Sequence, residues 1–196
     1  MAEVRGATSE DIEAAVDTLA TAFEGSSLVR HLVAADDYER RVRGLQRLFL
    51  VGVGMDHGAV WVTDDRRAVA VWTTPDTDGE AAFRSIAEQA VELAGDRARA
   101  SARTERALRP HRPTEPAWFL GVVGVRPDRQ GQGLGSAVIR PGLDAADAAG
   151  VFAHLETSED RNVRLYRALG FEVTAEVRLP DGGPLIWCMR RAPGAR

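Results

Sequence analysis

Apolar residues recur along this chain with two different periods, one typical of helices and one typical of strands. The helical period is clearest near the start, at Ile12, Ala15, Val16, Leu19 and Phe23. β-like runs at 59–63 and 68–73 flank a charged turn and predict a hairpin, and the runs at 171–179 and 184–190 predict a second one. Strands alternate with helices before this last hairpin. The order predicts an α/β fold, with a mixed central sheet, helices on both faces and a single domain over residues 1–196.

The most informative stretch runs from Trp118 to Phe171. Residues 118–125 are apolar without alternation, which predicts a strand buried on both faces in the middle of the sheet. This strand leads into a glycine-rich turn at 129–136 and then into helix-like sequence up to Gly150. The first N–H groups of a helix lack partners and carry partial positive charge, and glycines let an anion approach the backbone. We therefore predict a phosphate-binding turn at 129–136.

The spacing of the glycines narrows the choice of phosphate ligand. A dinucleotide fingerprint needs a third glycine where this chain has Ser136, and a P-loop needs a lysine, which the chain lacks. The pattern Gln130-x-x-Gly133-x-Gly135 instead resembles the coenzyme A pyrophosphate loop of the GNAT acyltransferase superfamily. Downstream, the segment from Asn162 to Phe171 is similar to the second signature of that superfamily. The resemblance implies a GNAT-like domain that uses acetyl-CoA as its acetyl donor and needs no metal.

The resemblance also implies a set of cofactor-binding residues, most of them acting through the main chain. They are Val123, Gly124, Val125, Arg129, Gln130, Gly131, Gln132, Gly133, Leu134, Gly135, Ser136 and Asn162. A glycine inside a strand, as at position 124, marks a close approach or a bulge, or else relieves crowding under a helix. Asn162 is further expected to cap the helix that follows.

Two residues are candidates for proton transfer. Tyr166 occupies the tyrosine of the superfamily motif, and the resemblance implies that it donates a proton to the departing sulfur. Glu156 ends the neighbouring strand, and burial beside apolar residues would raise its pKa toward that of a useful base. Two alternatives stay open: Glu156 as a structural carboxylate that binds loop amides near Thr157, and His154 as the base.

Other segments extend the resemblance to the puromycin N-acetyltransferases. They are Ala22-Phe23, residues 71–75, residues 111–120, residues 155–158, Trp187-Cys188-Met189 and residues 191–194. The resemblance implies an acceptor pocket walled by Trp72, Trp118 and the segment around Ser26, with His154 nearby. In those enzymes a tyrosine and a proline occupy the positions of Ser26 and Ser27, so an aromatic contact to the acceptor is missing here.

The composition of the chain argues against several other classes of function. The net charge of −4 gives no electrostatic case for binding nucleic acid or an acidic membrane. A single cysteine, no signal-like start and no long apolar run predict a cytoplasmic protein. The histidines show no metal-ligand spacing, and the sequence leaves the oligomeric state open.

We therefore expect an acetyltransferase that acts on the primary amine of puromycin or a similar aminoacyl-type small molecule, as in antibiotic resistance. Transfer would be direct, in a ternary complex. The alternatives are a GNAT enzyme for another small amine or a protein N-terminus, and a coenzyme A-binding sensor without turnover.

Overall fold

A seven-stranded mixed sheet forms the middle of the molecule in a computed structural model, which describes residues 2–195. The strands are β1 (Val4–Gly6), β2 (Ala59–Thr63), β3 (Ala68–Thr73), β4 (Ala117–Val125), β5 (Phe152–Thr157), β6 (Glu172–Arg178) and β7 (Leu185–Arg191). Their order across the sheet is β1-β2-β3-β4-β5-β7-β6. The central pair, β4 and β5, is parallel, and the other pairs are antiparallel.

Helices cover both faces of the sheet. They are α1 (Ile12–Phe23), α2 (Ser27–Leu32), α3 (Tyr38–Leu48), α4 (Gly79–Ala94), α5 (Ala98–Leu108), α6 (Leu134–Ala149) and α7 (Asp160–Arg167). Helix α6 lies against β2 to β5, and α7 joins it on that face through Val163 and Tyr166. Helix α1 lies on the opposite face against β3 and β4, and α2 to α5 complete that layer. The two layers bury the centre of the sheet on both sides, which explains the unbroken apolar sequence of β4.

The predicted fold class is confirmed, and both predicted hairpins are present as β2–β3 and β6–β7. The apolar positions Val42, Leu45, Leu48 and Phe49 predict one continuous helix over residues 38–53, and the structure differs there. Helix α3 ends at Leu48, and the chain continues as a stretch of π-helix, Phe49–Met55. π-Helical turns are rare and frequently mark functional sites. Within residues 2–195, no helix has the length and apolar character to cross a lipid bilayer.

Candidate active site

The central strands β4 and β5 separate part-way along their length. They pair from Ala117 with Phe152 to Leu120 with Leu155, and the pairing stops there. The rest of β4 stays paired with β3, and the rest of β5 stays paired with β7. Among the residues that the structure describes, the edge of β4 from Gly121 to Val125 that faces β5 therefore has no strand partner. Such an edge offers main-chain donors and acceptors to an extended ligand.

The glycine-rich turn lies directly beyond this open edge. Gly131 and Gly133 have φ angles of 75° and 78°, in the left-handed region that glycine adopts without strain. Gly133 precedes the first turn of α6, and its carbonyl accepts the N–H of Ala137. Within the described chain, none of the six N–H groups from residue 131 to residue 136 donates to another protein group. These free donors at a helix N-terminus form a site for a phosphate or another anion.

Side chains around the turn hold its shape. The amide of Gln130 folds back and donates to the carbonyl of Val125 at 3.1 Å. Arg129 reaches Asp65 at 3.4 Å, while its Nε is buried without a partner in the described structure. Arg129 therefore has donor capacity left for an anion, whereas the side chain of Gln130 is already used.

Tyr166 lies on the same side of the sheet as the turn. A Cβ on Gly135 would lie 3.6 Å from Val125 and 3.9 Å from Leu165, so the start of α6, the end of β4 and helix α7 converge. The ring of Tyr166 is 4% exposed and packs edge-on against Phe171 at 5.9 Å. Burial raises the pKa of the Tyr166 phenol well above its usual value, so the group is protonated at neutral pH.

On the other face of the sheet, a cavity of about 190 Å³ reaches the point where the central strands separate. Gly121, Val122 and Glu156 border it at that point. Its apolar walls come from α2, the π-helix, α4 and α5: Leu28, Leu32, Phe49, Val53, Phe83 and Leu108. The gap between β4 and β5 therefore joins the anion site on one face to an apolar cavity on the other.

Glu156 is ion-paired at one end of this cavity. Its carboxylate is 11% exposed and accepts two bonds from Arg112, at 2.7 Å and 3.1 Å. Burial alone would raise the pKa of Glu156, but the neighbouring His154 and the Arg112 guanidinium together outweigh burial and hold this pKa below its ordinary value. The expected rise in the pKa of Glu156 was wrong, because sequence periodicity did not reveal an arginine 44 residues away.

The chain is similar to known acetyltransferases in sequence and in fold. The model of the acetyltransferase (GNAT) family matches residues 84–171, which include the glycine-rich turn and Tyr166. A solved structure from Corynebacterium glutamicum, described as histone acetyltransferase HPA2 and related acetyltransferase, superposes with a TM-score of 0.77 at 24% identity. That match covers 100% of this chain and 99% of the other. The chain has the GNAT acetyltransferase fold.

Other proteins with the GNAT fold act on different acceptors. The Escherichia coli ribosomal-protein-S18-alanine N-acetyltransferase superposes with a TM-score of 0.58 at 16% identity, over 100% of this chain and 96% of that one. The polyamine N-acetyltransferase of Drosophila melanogaster gives 0.57 at 14% identity, over 98% and 100%. The fold therefore carries no information on which amine is the acceptor.

The two tryptophans expected to wall the acceptor pocket are core residues of this GNAT fold. The indole of Trp72 packs against Gly142 of α6 and lies edge-on to Trp118 at 6.0 Å. Trp118 also lies 5.9 Å from Trp61, in the cluster that α6 covers. Both rings therefore lie on the α6 face, although Trp72 also borders the apolar cavity on the other side of the sheet. A bulge at Gly121 separates Trp72 from Val71 in the pairing of β3 with β4, and the sequence did not predict its position.

Three other predicted residues have structural roles that the sequence did not predict. Ser26 is the N-cap of α2 and accepts the N–H of Val29 at 3.4 Å, so α2 reaches the cavity with Leu28 and Leu32 instead. His154 is buried and stacked on Phe119 at 5.5 Å, outside the cavity lining.

Asn162 does not cap α7, because Glu159 holds that position and Asn162 lies inside the first turn, 3.5 Å from the hydroxyl of Thr157.

Of the two interpretations of Gly124, the structure supports relief of crowding under a helix. A Cβ there would lie 2.9 Å from Leu19 and 3.1 Å from Ala22, so this glycine lets α1 pack closely on β4. The bulge occurs three residues earlier, at Gly121. The main chain of Gly124 still forms part of the open strand edge.

Sequence reasoning missed Arg112 and the apolar cavity walls. Arg112 belongs to a segment recognised only by resemblance. The interleaved charges of residues 97–108, which include Glu105, predict a helix with a solvated face. Arg112 donates to Glu105 at 2.7 Å as well as to Glu156. No local pattern connects these three residues, because they lie on α5, the following loop and β5.

Proposed function

We propose that this protein is an acetyl-CoA-dependent N-acetyltransferase that acetylates the primary amine of a small molecule by direct transfer in a ternary complex. The observation that carries the proposal is the continuity of three features: the free N–H groups of residues 131–136, the open edge of β4, and the apolar cavity that meets this edge at Gly121. A donor bound along the first two features would face an acceptor in the third.

The donor site fits coenzyme A by its chemistry. A diphosphate matches the six free N–H groups with their helix dipole, and Arg129 can add a charged donor. An amide-containing arm matches the main-chain groups of Val123, Gly124 and Val125 on the open edge. A main-chain N–H of the same segment would then stabilise negative charge that develops on the acetyl oxygen. Acetyl-CoA supplies the activated acetyl thioester, and Asn162 would add a cofactor contact.

Tyr166 would serve as the general acid. A phenol has an ordinary pKa of about 10 and a thiol one of about 8.5, so transfer to a thiolate is not downhill by these values alone. In a desolvated site the transfer occurs as charge develops on the sulfur, and Tyr166 holds its proton until then because burial favours the neutral phenol.

Glu156 would hold and orient the acceptor amine at the mouth of the gap. Its carboxylate is ionised at neutral pH because His154 and Arg112 lower the pKa. The lowered pKa makes it a weaker base than expected, so it would hold the ammonium as a fixed anion and pass the protons that the amine loses to solvent water, while Tyr166 regains its own proton from solvent. Cys188 gives no route through an acyl-enzyme, because it is buried in β7 and burial raises the pKa of its thiol to about 11.

We propose that the acceptor is puromycin or another aminoacyl-type amine. The enzyme would act in the cytoplasm and confer resistance to the antibiotic. The support is the resemblance of segments spread over the chain, from Ala22-Phe23 to residues 191–194, to the puromycin enzymes. The serines at positions 26 and 27 leave another aminoacyl-like amine as the second candidate within the same chemistry.

Release of free thiol from acetyl-CoA is the direct test of this function. We expect release that depends on both protein and amine, with puromycin among the active acceptors. Release with other amines but not with puromycin would support the acetyltransferase activity and contradict puromycin as the acceptor. Binding of coenzyme A without release for any amine would favour a sensor and contradict the proposal.

Substitution of Gly133 by alanine is expected to weaken the binding of coenzyme A. Its φ of 78° is unfavourable for any residue with a Cβ, by about 1 kcal/mol, so the turn that aims the N–H groups would shift. Gly150→Ala is a matched control, because Gly150 ends the same helix with a φ of 65° and, like Gly133, has open space where a Cβ would be. Isothermal titration with coenzyme A should show weaker binding for Gly133→Ala alone. Equal affinity in both variants would show that the turn does not hold the cofactor.

A further inference from the structure

The apolar cavity between α2, α4, α5 and the sheet has a cluster of charged side chains at one end. Among the residues that the structure describes, its lining includes three charged side chains: Glu105, Arg112 and Glu156. Arg112 donates to both carboxylates, so two negative charges face one positive charge. The polar end of the cavity therefore carries a net charge of −1.

The two carboxylates are not equivalent. Glu156 takes a two-bond contact from Arg112 and is 11% exposed, whereas Glu105 takes one bond at 2.7 Å and is 56% exposed. The charge of Arg112 is thus largely matched by Glu156. Glu105 is the more exposed carboxylate, so the excess negative charge attracts an ammonium at Glu105, while Glu156 lies beside Gly121 at the gap where the amine would react.

The size of the cavity limits what can enter it. Its volume is about 190 Å³, while an apolar protein cavity of roughly 150 Å³ is known to hold benzene. One aryl ring or one branched alkyl chain with a short linker would fill it. The apolar walls Leu28, Phe49, Phe83 and Leu108 offer no group to pair with a second charge, and the hydroxyls that also line the cavity, those of Ser101 and Thr104 among them, are uncharged.

We infer that this cavity is the acceptor site, and that it selects an amine with a single positive charge on an apolar body about the size of one aryl ring. The inference rests on the proposed acetyl transfer and adds the class of acceptor. A free amino acid is disfavoured because its carboxylate would add a third negative charge around the single guanidinium of Arg112. A polyamine is disfavoured because its second ammonium would lie among apolar side chains and uncharged hydroxyls, without a carboxylate of its own. Amides, esters and arylalkylamines fit.

Four closely matched amines test this selection. They are 2-phenylethylamine, phenylalanine amide, phenylalanine and spermidine, each assayed by thiol release from acetyl-CoA. We expect kcat/KM for the first two to exceed that for phenylalanine and spermidine roughly tenfold or more. Binding of 2-phenylethylamine, with 2-phenylethanol as its neutral counterpart, is measured separately by calorimetry in the presence of coenzyme A. The amine should bind more tightly than the alcohol.

Glu105→Gln removes the unmatched charge without changing the shape of the side chain. We expect it to raise KM and Kd for 2-phenylethylamine about fivefold, as for a partly exposed ion pair, and to leave the binding of 2-phenylethanol unchanged. Glu88→Gln is the control, because Glu88 is exposed on α4 and does not border the cavity. It should behave as the unmodified protein.

The outcomes separate this inference from the proposed function. Thiol release at similar kcat/KM for all four amines, or no effect of Glu105→Gln, would overturn the inference while acetyl transfer stands. Charge-dependent binding of 2-phenylethylamine without any thiol release would remove the proposed activity and leave the cavity as an amine site. Neither release nor binding would overturn both.

Discussion

Replacing Tyr166 by phenylalanine is expected to lower kcat for thiol release roughly 100-fold or more, because the substitution removes the group proposed to protonate the departing sulfur. The ring would keep its packing against Phe171, so the fold should be retained. The affinity for acetyl-CoA should stay nearly constant, because the free N–H groups of the glycine-rich turn are unchanged. Steady-state kinetics combined with titration of coenzyme A measures both quantities.

Tyr38→Phe is the natural control for this experiment, since Tyr38 and Tyr166 are the two tyrosines of the chain. The hydroxyl of Tyr38 is also buried and has no hydrogen-bond partner within the described structure. Tyr38 belongs to the cluster of α2 and α3, with Val29, Val33 and Val42. Its variant should turn over normally. If Tyr166→Phe also retained full kcat, the assignment of the acid would be wrong.

Substitution of Asp11 by asparagine is expected to destabilise the fold by about 2–3 kcal/mol. The carboxylate is 1% exposed and accepts two bonds from Arg5, at 2.7 Å and 2.8 Å, and one from Arg66 at 2.7 Å. It also accepts the N–H and the hydroxyl of Thr8. Asp11 thereby fastens β1, the start of α1 and the turn between β2 and β3. Both arginines are partly exposed, which limits the loss.

The dependence on pH gives this prediction a second readout. The Arg5 guanidinium holds the pKa of Asp11 far below its ordinary value in the folded protein, in spite of burial. A lowered pKa in the folded state contributes stability above the unfolded-state pKa of about 3.9 and loses it as the pH falls below that value. The difference between the unmodified protein and Asp11→Asn should therefore be constant from neutral pH down to about pH 5, and should narrow below about pH 4.

Urea unfolding at several pH values measures both effects. Asp36→Asn serves as the comparison, because Asp36 pairs with Arg41 at 2.8 Å on the surface and is 72% exposed. Its loss should be below about 1 kcal/mol. Similar losses for Asp11→Asn and Asp36→Asn at neutral pH would contradict the role of Asp11 as a buried anchor.

The sequence was sufficient for the fold class, for the central position of β4 and for the two hairpins. Each of these follows from a local hydrophobic period or a local turn, and such patterns involve only residues that are close together in the sequence. The glycine-rich turn was also predictable, since glycines at alternate positions before a helix have few structural alternatives. Positive φ angles at Gly131 and Gly133 agree with that interpretation.

The placement of the two tryptophans relative to the cavity was predicted only in part, for a physical reason. Trp72 lies on β3, where alternation shows that neighbouring side chains point to opposite faces but does not show which face has the cavity. A bulge at Gly121 also shifts the pairing of β3 with β4, and nothing in the residues around it predicts the position of that shift. The rings of Trp72 and Trp118 therefore belong to the α6 core, and Trp72 borders the cavity together with Leu28, Phe49 and Phe83.

By itself, the sequence determined the order of strands and helices and the position of the glycine-rich turn, because these depend on neighbours along the chain. Only the tertiary structure decided the state of Glu156, since its charge partner Arg112 is 44 residues away and its neighbour Glu105 is on another helix. It also decided where an acceptor can enter, because the cavity exists only after α2, the π-helix, α4 and α5 pack around the gap between the central strands. Both features depend on contacts between residues far apart in the sequence, and the local pattern of apolar residues does not reveal such contacts.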